Sequence, residues 1–229
     1  MIIAIDGPAG VGKGTLAKKL ATHYNMHYLD TGTLYRAVGL SLISAGIPAD
    51  NAEAAAQAAQ QLDFTFKPVD GHFKAFIGQR DITNDLRTLE VGKAASVVSS
   101  TPAVRQALKD FQTRFAATKS ADGGVILDGR DIGTVICPHA EVKFFLDAKP
   151  EIRAQRRLKE LREAGREAVY EDVLAEIVDR DDRDRNRSDA PLKAADDAIL
   201  LDTSDLSIEK VFLQACAVVE RHRAAHKAS

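Results

Sequence analysis

Residues 2–15 read Ile-Ile-Ala-Ile-Asp-Gly-Pro-Ala-Gly-Val-Gly-Lys-Gly-Thr, and this stretch limits the fold more than any other. The β-branched run Ile2, Ile3 and Ile5 predicts a buried strand ending at Asp6. A glycine-rich loop follows, and then Leu16-Ala17-Lys18-Lys19-Leu20-Ala21 with apolar residues at helical spacing. Strand, loop and helix in that order are the setting in which a phosphate-binding loop is credible. Glycines let backbone N–H groups surround an anion where no Cβ obstructs and where φ is positive. The following helix aims its N-terminal N–H groups at the same charge. Lys13 adds a mobile positive charge that reaches the β- and γ-phosphates of a nucleotide. The chain is therefore expected to bind a nucleoside triphosphate through Gly7, Pro8, Ala9, Gly10, Val11, Gly12, Lys13, Gly14 and Thr15.

One position departs from the general motif. A P-loop ordinarily carries Ser or Thr directly after its lysine, to hold Mg²⁺. Here Gly14 follows Lys13, and the hydroxyl comes one place later at Thr15. Thr15 is thus the one hydroxyl candidate for a metal contact on the loop, and no protein metal site is expected.

Bulk properties narrow the class without naming it. A length of 229 residues suits one α/β domain with small inserts. The 45% hydrophobic and 28% charged content is that of an ordinary globular chain. Cys137 and Cys216 are far apart and read as reduced core residues, which points to the cytoplasm. No apolar run nears membrane-span length, and a net charge of −2 gives no nucleic-acid footprint. No amphipathic stripe is left over for a partner, so a monomer is expected.

Along the chain, residues 26–29 predict a second strand ending at Asp30, with Thr31 as cap of a helix that carries Tyr35 and Arg36. Residues just beyond the C-terminal ends of parallel strands are where α/β sheets bind ligands. Residues 49–61 read as a surface helix. Phe64–Phe66 and Phe73–Ile77 flank Asp70-Gly71, a hairpin signal, and with residues 81–83 they predict an inserted antiparallel subdomain over about 62–85. Helices follow over 86–98 and from Pro102 to about Ala117. Val125-Ile126-Leu127 is a buried strand with Asp128, Arg130 and Asp131 at its end. Two readings stand for these charges: a local salt-bridge knot, or a ligand-facing set beside the phosphate loop. Residues 142–147 are the fourth strand, and a helix from Pro150 to about Ala164 bears Arg153, Arg156 and Arg157. Residues 170–187 are again helical, with Arg180, Asp184 and Arg187 at i, i+4 and i+7 on one face. That run is either a solvated face or a phosphate clamp. A fifth buried strand over 198–204 and a closing helix over 207–222 complete an α/β fold.

Four segments carry a family resemblance: residues 5–15, Leu29-Asp30-Thr31-Gly32 with Tyr35-Arg36, Asp128-Gly129-Arg130-Asp131-Ile132-Gly133-Thr134, and Arg180-Asp181-Asp182-Arg183-Asp184-Arg185-Asn186-Arg187. Together they resemble the nucleoside monophosphate kinases, and most closely the bacterial cytidylate kinases. The resemblance implies a P-loop kinase with a five-stranded parallel sheet flanked by helices, an inserted hairpin subdomain and a helical lid. It implies one domain, with a core of residues 1–30, 86–150 and 190–229, a monophosphate-binding region over 31–85, and a lid over 151–189. The implied reaction is transfer of the terminal phosphoryl group of ATP, with Mg²⁺ held mainly by phosphates and waters, to CMP or dCMP. By position, Thr31, Arg105 and Asp131 would hold the cytosine. Ser96, Arg180 and Asp184 would contact the ribose, and Arg36, Arg130 and Arg187 the acceptor phosphate, with Tyr35 and Asp128 nearby. Lys13, Arg130, Arg180, Arg183 and Arg187 would act on the transferring group, and Arg153 and Arg157 on ATP. The family often has Ser where this chain has Thr31.

Three rivals remain at this stage. A P-loop kinase for UMP, AMP or a small metabolite differs only at the acceptor pocket. A regulatory NTPase would need switch loops, and the chain shows no Asn-Lys-x-Asp for reading guanine. A non-catalytic nucleotide-binding module would not need Lys13 and the arginines.

Overall fold

A computed structural model describes residues 1–163 and 165–227. The strands are β1 (Ile2–Asp6), β2 (His27–Asp30), β3 (Phe64–Val69), β4 (His72–Ile77), β5 (Arg80–Asp81), β6 (Val125–Gly129), β7 (Val142–Asp147) and β8 (Ile199–Asp202). The helices are α1 (Lys13–Tyr24), α2 (Thr31–Ser44), α3 (Ala52–Gln60), α4 (Leu89–Val98), α5 (Pro102–Ala121), α6 (Pro150–Glu163), α7 (Tyr170–Asn186) and α8 (Ile208–Lys227). The described residues fall into two compact units, one of residues 29–118 and one of the remainder.

The larger unit is built on a five-stranded sheet in the order β2-β6-β1-β7-β8, and the first two residues of β2 belong to it. β1 lies parallel to β6 and to β7, and β7 lies parallel to β8. Ile3, Ala4, Ile5, Ile126 and Leu127 are fully buried. Continuous apolar runs of this kind mark parallel strands covered on both faces. The register sets Asp6 opposite both Gly129 and Phe145. The phosphate loop therefore begins where the charged end of β6 emerges. β8 departs from the expectation of a fifth buried strand. It is the sheet edge, and Leu200 is 69% exposed. α6 and α7 form a hairpin with its own small apolar core, in which Ala154, Leu161, Val173 and Ile177 meet Leu158 and Leu174. The expected helix end at Ala164 lies outside the described residues.

The second unit holds the hairpin, and it is larger than the sequence suggested because residues 86–118 cluster with it. Gly39 lets α2 approach α4 closely: a Cβ there would lie 3.0 Å from the Cβ of Ala94. β3 and β4 pair antiparallel, with Val69 opposite His72 across the Asp70-Gly71 turn. Both turn residues have positive φ, 51° and 76°, as a tight two-residue hairpin loop requires. The third strand is only the two residues of β5, beginning one place and ending two places before the expected 81–83. Thr31 does not cap α2. It is the first helical residue, and Asp30 occupies the cap position. The helix expected from 86 is divided: a 3₁₀ turn covers Asp85–Arg87, and Thr88 caps α4 by accepting from the Val91 N–H at 3.2 Å.

Candidate active site

In the larger unit the phosphate loop is shaped by three positive φ angles, 146° at Gly7, 79° at Gly10 and 93° at Gly12. Gly7 is the tightest position. A Cβ there would sit 2.1 Å from the Leu146 carbonyl oxygen, inside β7. Lys13 opens α1 and is buried, and its Nζ donates to the Pro8 carbonyl at 2.7 Å. The ammonium is thus folded back over the loop it serves.

Asp6 ties this loop to the end of β6. Its carboxylate accepts from the Ile132 N–H at 2.8 Å and the Gly133 N–H at 2.7 Å. Burial pushes its carboxyl up to about 6, with Asp131 adding to the rise, while the two N–H groups and Lys13 oppose it. Residues 132–136 form a π turn, which the sequence reading did not anticipate. Such turns occur frequently at functional sites. Asp128 is buried and accepts from the Tyr28 hydroxyl at 3.1 Å. A Cβ on Gly14 would lie 3.6 Å from its Oδ2 and 3.5 Å from the Tyr28 oxygen. Both are ordinary van der Waals contacts, so position 14 packs against the Tyr28–Asp128 pair with room for a Cβ.

The charges at the end of β6 meet α7. Arg130 Nε donates to Asp184 Oδ2 at 2.8 Å, and Arg187 lies 3.7 Å from Asp131 and 4.0 Å from Asp184. Burial alone would raise the Asp184 carboxyl, but Arg130, Arg180 and Arg187 hold it below the usual carboxylate range. Arg180, Asp184 and Arg187 do share a face, as their spacing predicted. Arg183 is exposed, and Arg157 donates to Glu160 at 3.1 Å on the surface of α6.

Arg153 is placed differently from the expectation. It is 1% exposed, with its guanidinium enclosed by protein groups. Nε donates to the Ala148 carbonyl at 2.9 Å, Nη1 to the Ala9 carbonyl at 3.2 Å, and both Nη atoms to Asp181 at 3.0 and 2.5 Å. Arg156, on the same helix, faces a cavity instead. With Gly12, Thr15, Thr203, Leu206 and Ile208 it lines a cavity of about 550 Å³. Its Nη1 donates to Thr203 Oγ1 at 3.2 Å, and that hydroxyl donates to the Val11 carbonyl at 3.1 Å. The Thr203–Ile208 wall was missed because its residues carry no motif, and the β8–α8 connection and the start of α8 bring them beside the phosphate loop.

In the second unit Arg105 is buried, donates to the Tyr35 hydroxyl at 3.3 Å, and lies with its guanidinium carbon 6.0 Å from that ring's centroid. Arg36 donates to the Leu86 carbonyl at 2.7 Å and lies against Gly92, where a Cβ would sit 3.4 Å from its Nη1. Thr31 is buried at the start of α2, and Ser96 is half-buried on α4. Among the described residues no cluster of three His, Cys, Asp or Glu side chains forms a metal site. No helix among them is long and apolar enough to cross a membrane.

A parallel sheet, a strand-end phosphate loop carrying its lysine, and an arginine-bearing helical hairpin define a P-loop kinase. A solved shikimate kinase from Bacteroides thetaiotaomicron shares this fold at a TM-score of 0.50 and 12% identity, covering 96% of this chain and 98% of its own. The chain belongs to the cytidylate kinase family, whose family model matches residues 3–221. It is 52% identical over 223 residues to the cytidylate kinase of Azorhizobium caulinodans, covering 97% of this chain and 100% of the relative. It is also 52% identical over 225 residues to that of Xanthobacter autotrophicus, covering 98% and 99%.

Proposed function

We propose that the chain transfers the γ-phosphoryl group of ATP to CMP and dCMP. The observation that carries this reading is the Arg130–Asp184–Arg187–Asp131 constellation, fixed to the phosphate loop through Asp6, in a chain of this family. Catalysis of this kind rests on alignment and charge neutralisation, since the acceptor oxygen is already ionised. Lys13 and the loop N–H groups receive the triphosphate, and the cavity beside Arg156 receives the donor base. Arg130, Arg187 and Arg36 grip the acceptor phosphate. Arg180, Asp184 and Ser96 meet the ribose. Asp131 accepts from the cytosine N4 amino group, the pairing that acids make with cytosine in DNA grooves. Arg105 donates to its O2 and N3, and the Thr31 hydroxyl completes the set. Arg183 and Arg157 extend the lid's positive charge toward the transferring group.

The donor set suits Mg²⁺ carried in on the nucleotide. Asp128 stands beside Gly14, and Thr15 is exposed on the first turn of α1. These two residues would face the ion, which when bound neutralises the phosphate charge. Lid closure over 151–189 excludes water, which would otherwise take the phosphoryl group.

An ADP-release assay with ATP, Mg²⁺ and a panel of CMP, dCMP, UMP, AMP and GMP tests the reading. Rapid turnover confined to CMP and dCMP is expected. Turnover with another monophosphate instead would overturn the roles of Asp131, Arg105 and Thr31. Equal ADP release without acceptor would indicate an NTPase.

A further inference from the structure

We propose that Arg153 and Asp181 are positioning residues that lock the rotation of α7 to the phosphate loop. The inference rests on the reading above that the α7 arginines serve phosphoryl transfer. Arg153 is the largest fully buried side chain, and it has three attachments. Its Nε holds the Ala148 carbonyl just after β7, its Nη1 holds the Ala9 carbonyl inside the phosphate loop, and its planar fork takes both oxygens of Asp181. The loop accommodates it closely, because a Cβ on Gly10 would lie 3.3 Å from the Arg153 Cβ. Asp181 is equally buried and continues the stripe of Val173 and Ile177 that faces α6.

Helical geometry gives this pair its consequence. At 3.6 residues per turn, Asp181 lies about a quarter turn from the face of Arg180, Asp184 and Arg187. Apolar packing of Val173 and Ile177 holds α7 against α6 but tolerates small rotations. A bidentate guanidinium–carboxylate pair fixes two points in a plane and does not. The same guanidinium touches the Ala9 carbonyl, so a nucleotide that reshapes the loop acts directly on the group that sets α7. Arg153 touches no substrate in this scheme. It sets the angle at which Arg180 and Arg187 are offered.

The test uses Asp181→Asn and Arg153→Lys in the full chain. Asn keeps the shape of Asp181 but loses its charge, and Lys keeps the charge of Arg153 but reaches one of three partners. For Asp181→Asn we expect kcat with CMP to fall about thirty-fold or more, the scale of a misplaced catalytic group, with the Kd for ATP changed less than about threefold. For Arg153→Lys we expect both to suffer, with the Kd for ATP raised about tenfold. Thermal unfolding fixes the folded fraction used in each measurement. Hydrogen exchange of amides 180–187, with and without a non-hydrolysable ATP analogue, reads the coupling directly. Nucleotide should protect them in the natural chain and not in Asp181→Asn. Unchanged kcat and Kd per folded molecule in both variants would overturn the proposal, as would equal protection in Asp181→Asn. If the natural chain shows nucleotide-dependent protection but no turnover of CMP, the proposed function fails and the coupling stands.

Discussion

Replacing Asp184 by Asn removes one negative charge from among three arginines. The Asp184 carboxylate is 2.8 Å from Arg130 Nε and 4.0 Å from Arg187 Nη1, with a side chain only 14% exposed. Burial opposes its ionisation, yet the three guanidinium groups hold its carboxyl below the ordinary range, so attraction exceeds desolvation. Two unit charges 4 Å apart at an effective dielectric near 20 attract by about 4 kcal/mol. Truncating one partner of a buried, hydrogen-bonded charge pair costs about 2–5 kcal/mol. We therefore expect Asp184→Asn to lose about 3 kcal/mol in kcat/KM for CMP, or about 150-fold. Part of that loss comes through the contact assigned to the ribose. The ratio of kcat/KM for CMP to that for dCMP should then fall toward one, because only CMP carries the 2′-hydroxyl. Steady-state ADP release with both acceptors at saturating ATP measures both effects. A kcat/KM within about threefold of the natural chain for both acceptors would refute the electrostatic argument. A large loss with the CMP to dCMP ratio intact would keep the charge network and remove the sugar contact.

Asp131→Ala should erode discrimination between CMP and UMP by about tenfold to a hundredfold while the Kd for ATP holds; unchanged discrimination would show that another group reads the base. Gly7→Ala puts a Cβ 2.1 Å from the Leu146 carbonyl, so differential scanning calorimetry should show a Tm lowered by about 6–12 °C, equivalent to about 3 kcal/mol. A Tm within about 2 °C would mean the loop yields without cost. Asp6 adds a pH dependence of definite sign. Its folded carboxyl, pushed from 3.8 to about 6, favours the protonated form, so its contribution to stability is full below 3.8 and lost as pH rises through 6. The difference between pH 4 and pH 8 is worth about 2.4 kcal/mol. Relative to Asp6→Asn, the natural chain should lose that amount over this interval in denaturant titrations, and parallel curves would refute the assignment.

The fold was legible where one physical signal sufficed. The β-branched run before Gly7, the glycines around Lys13 and the Asp70-Gly71 turn each specify local geometry by themselves. The shared face of Arg180, Asp184 and Arg187 followed from helical spacing. What the sequence left open depended on contacts distant along the chain. Arg153, Arg156 and Arg157 are neighbours on one helix with the same chemistry, yet one is enclosed by Ala9 and Asp181, one faces a cavity and one lies on the surface. No periodicity separates them, because the difference lies in what α7 and the β8–α8 connection bring alongside. The π turn after Asp131 was illegible for a similar reason: its shape depends on Asp6, 126 positions earlier in the chain. The placement of 86–118 with the hairpin unit was hidden in Gly39, whose missing side chain matters only once α4 is beside it.

The pairing of Arg130 with Asp184 and of Arg187 with Asp131 has a bearing on how the protein behaves in salt. An arginine cluster with no carboxylates would present a strong external field, attract any polyanion, and lose affinity steeply as ionic strength rose. Here each cation already has an internal counter-ion within 4 Å. An incoming phosphate therefore exchanges one anion for another at short range instead of being drawn in from afar. Under the proposed function, capture at this site should therefore be local and depend only weakly on the salt concentration of the surrounding solution.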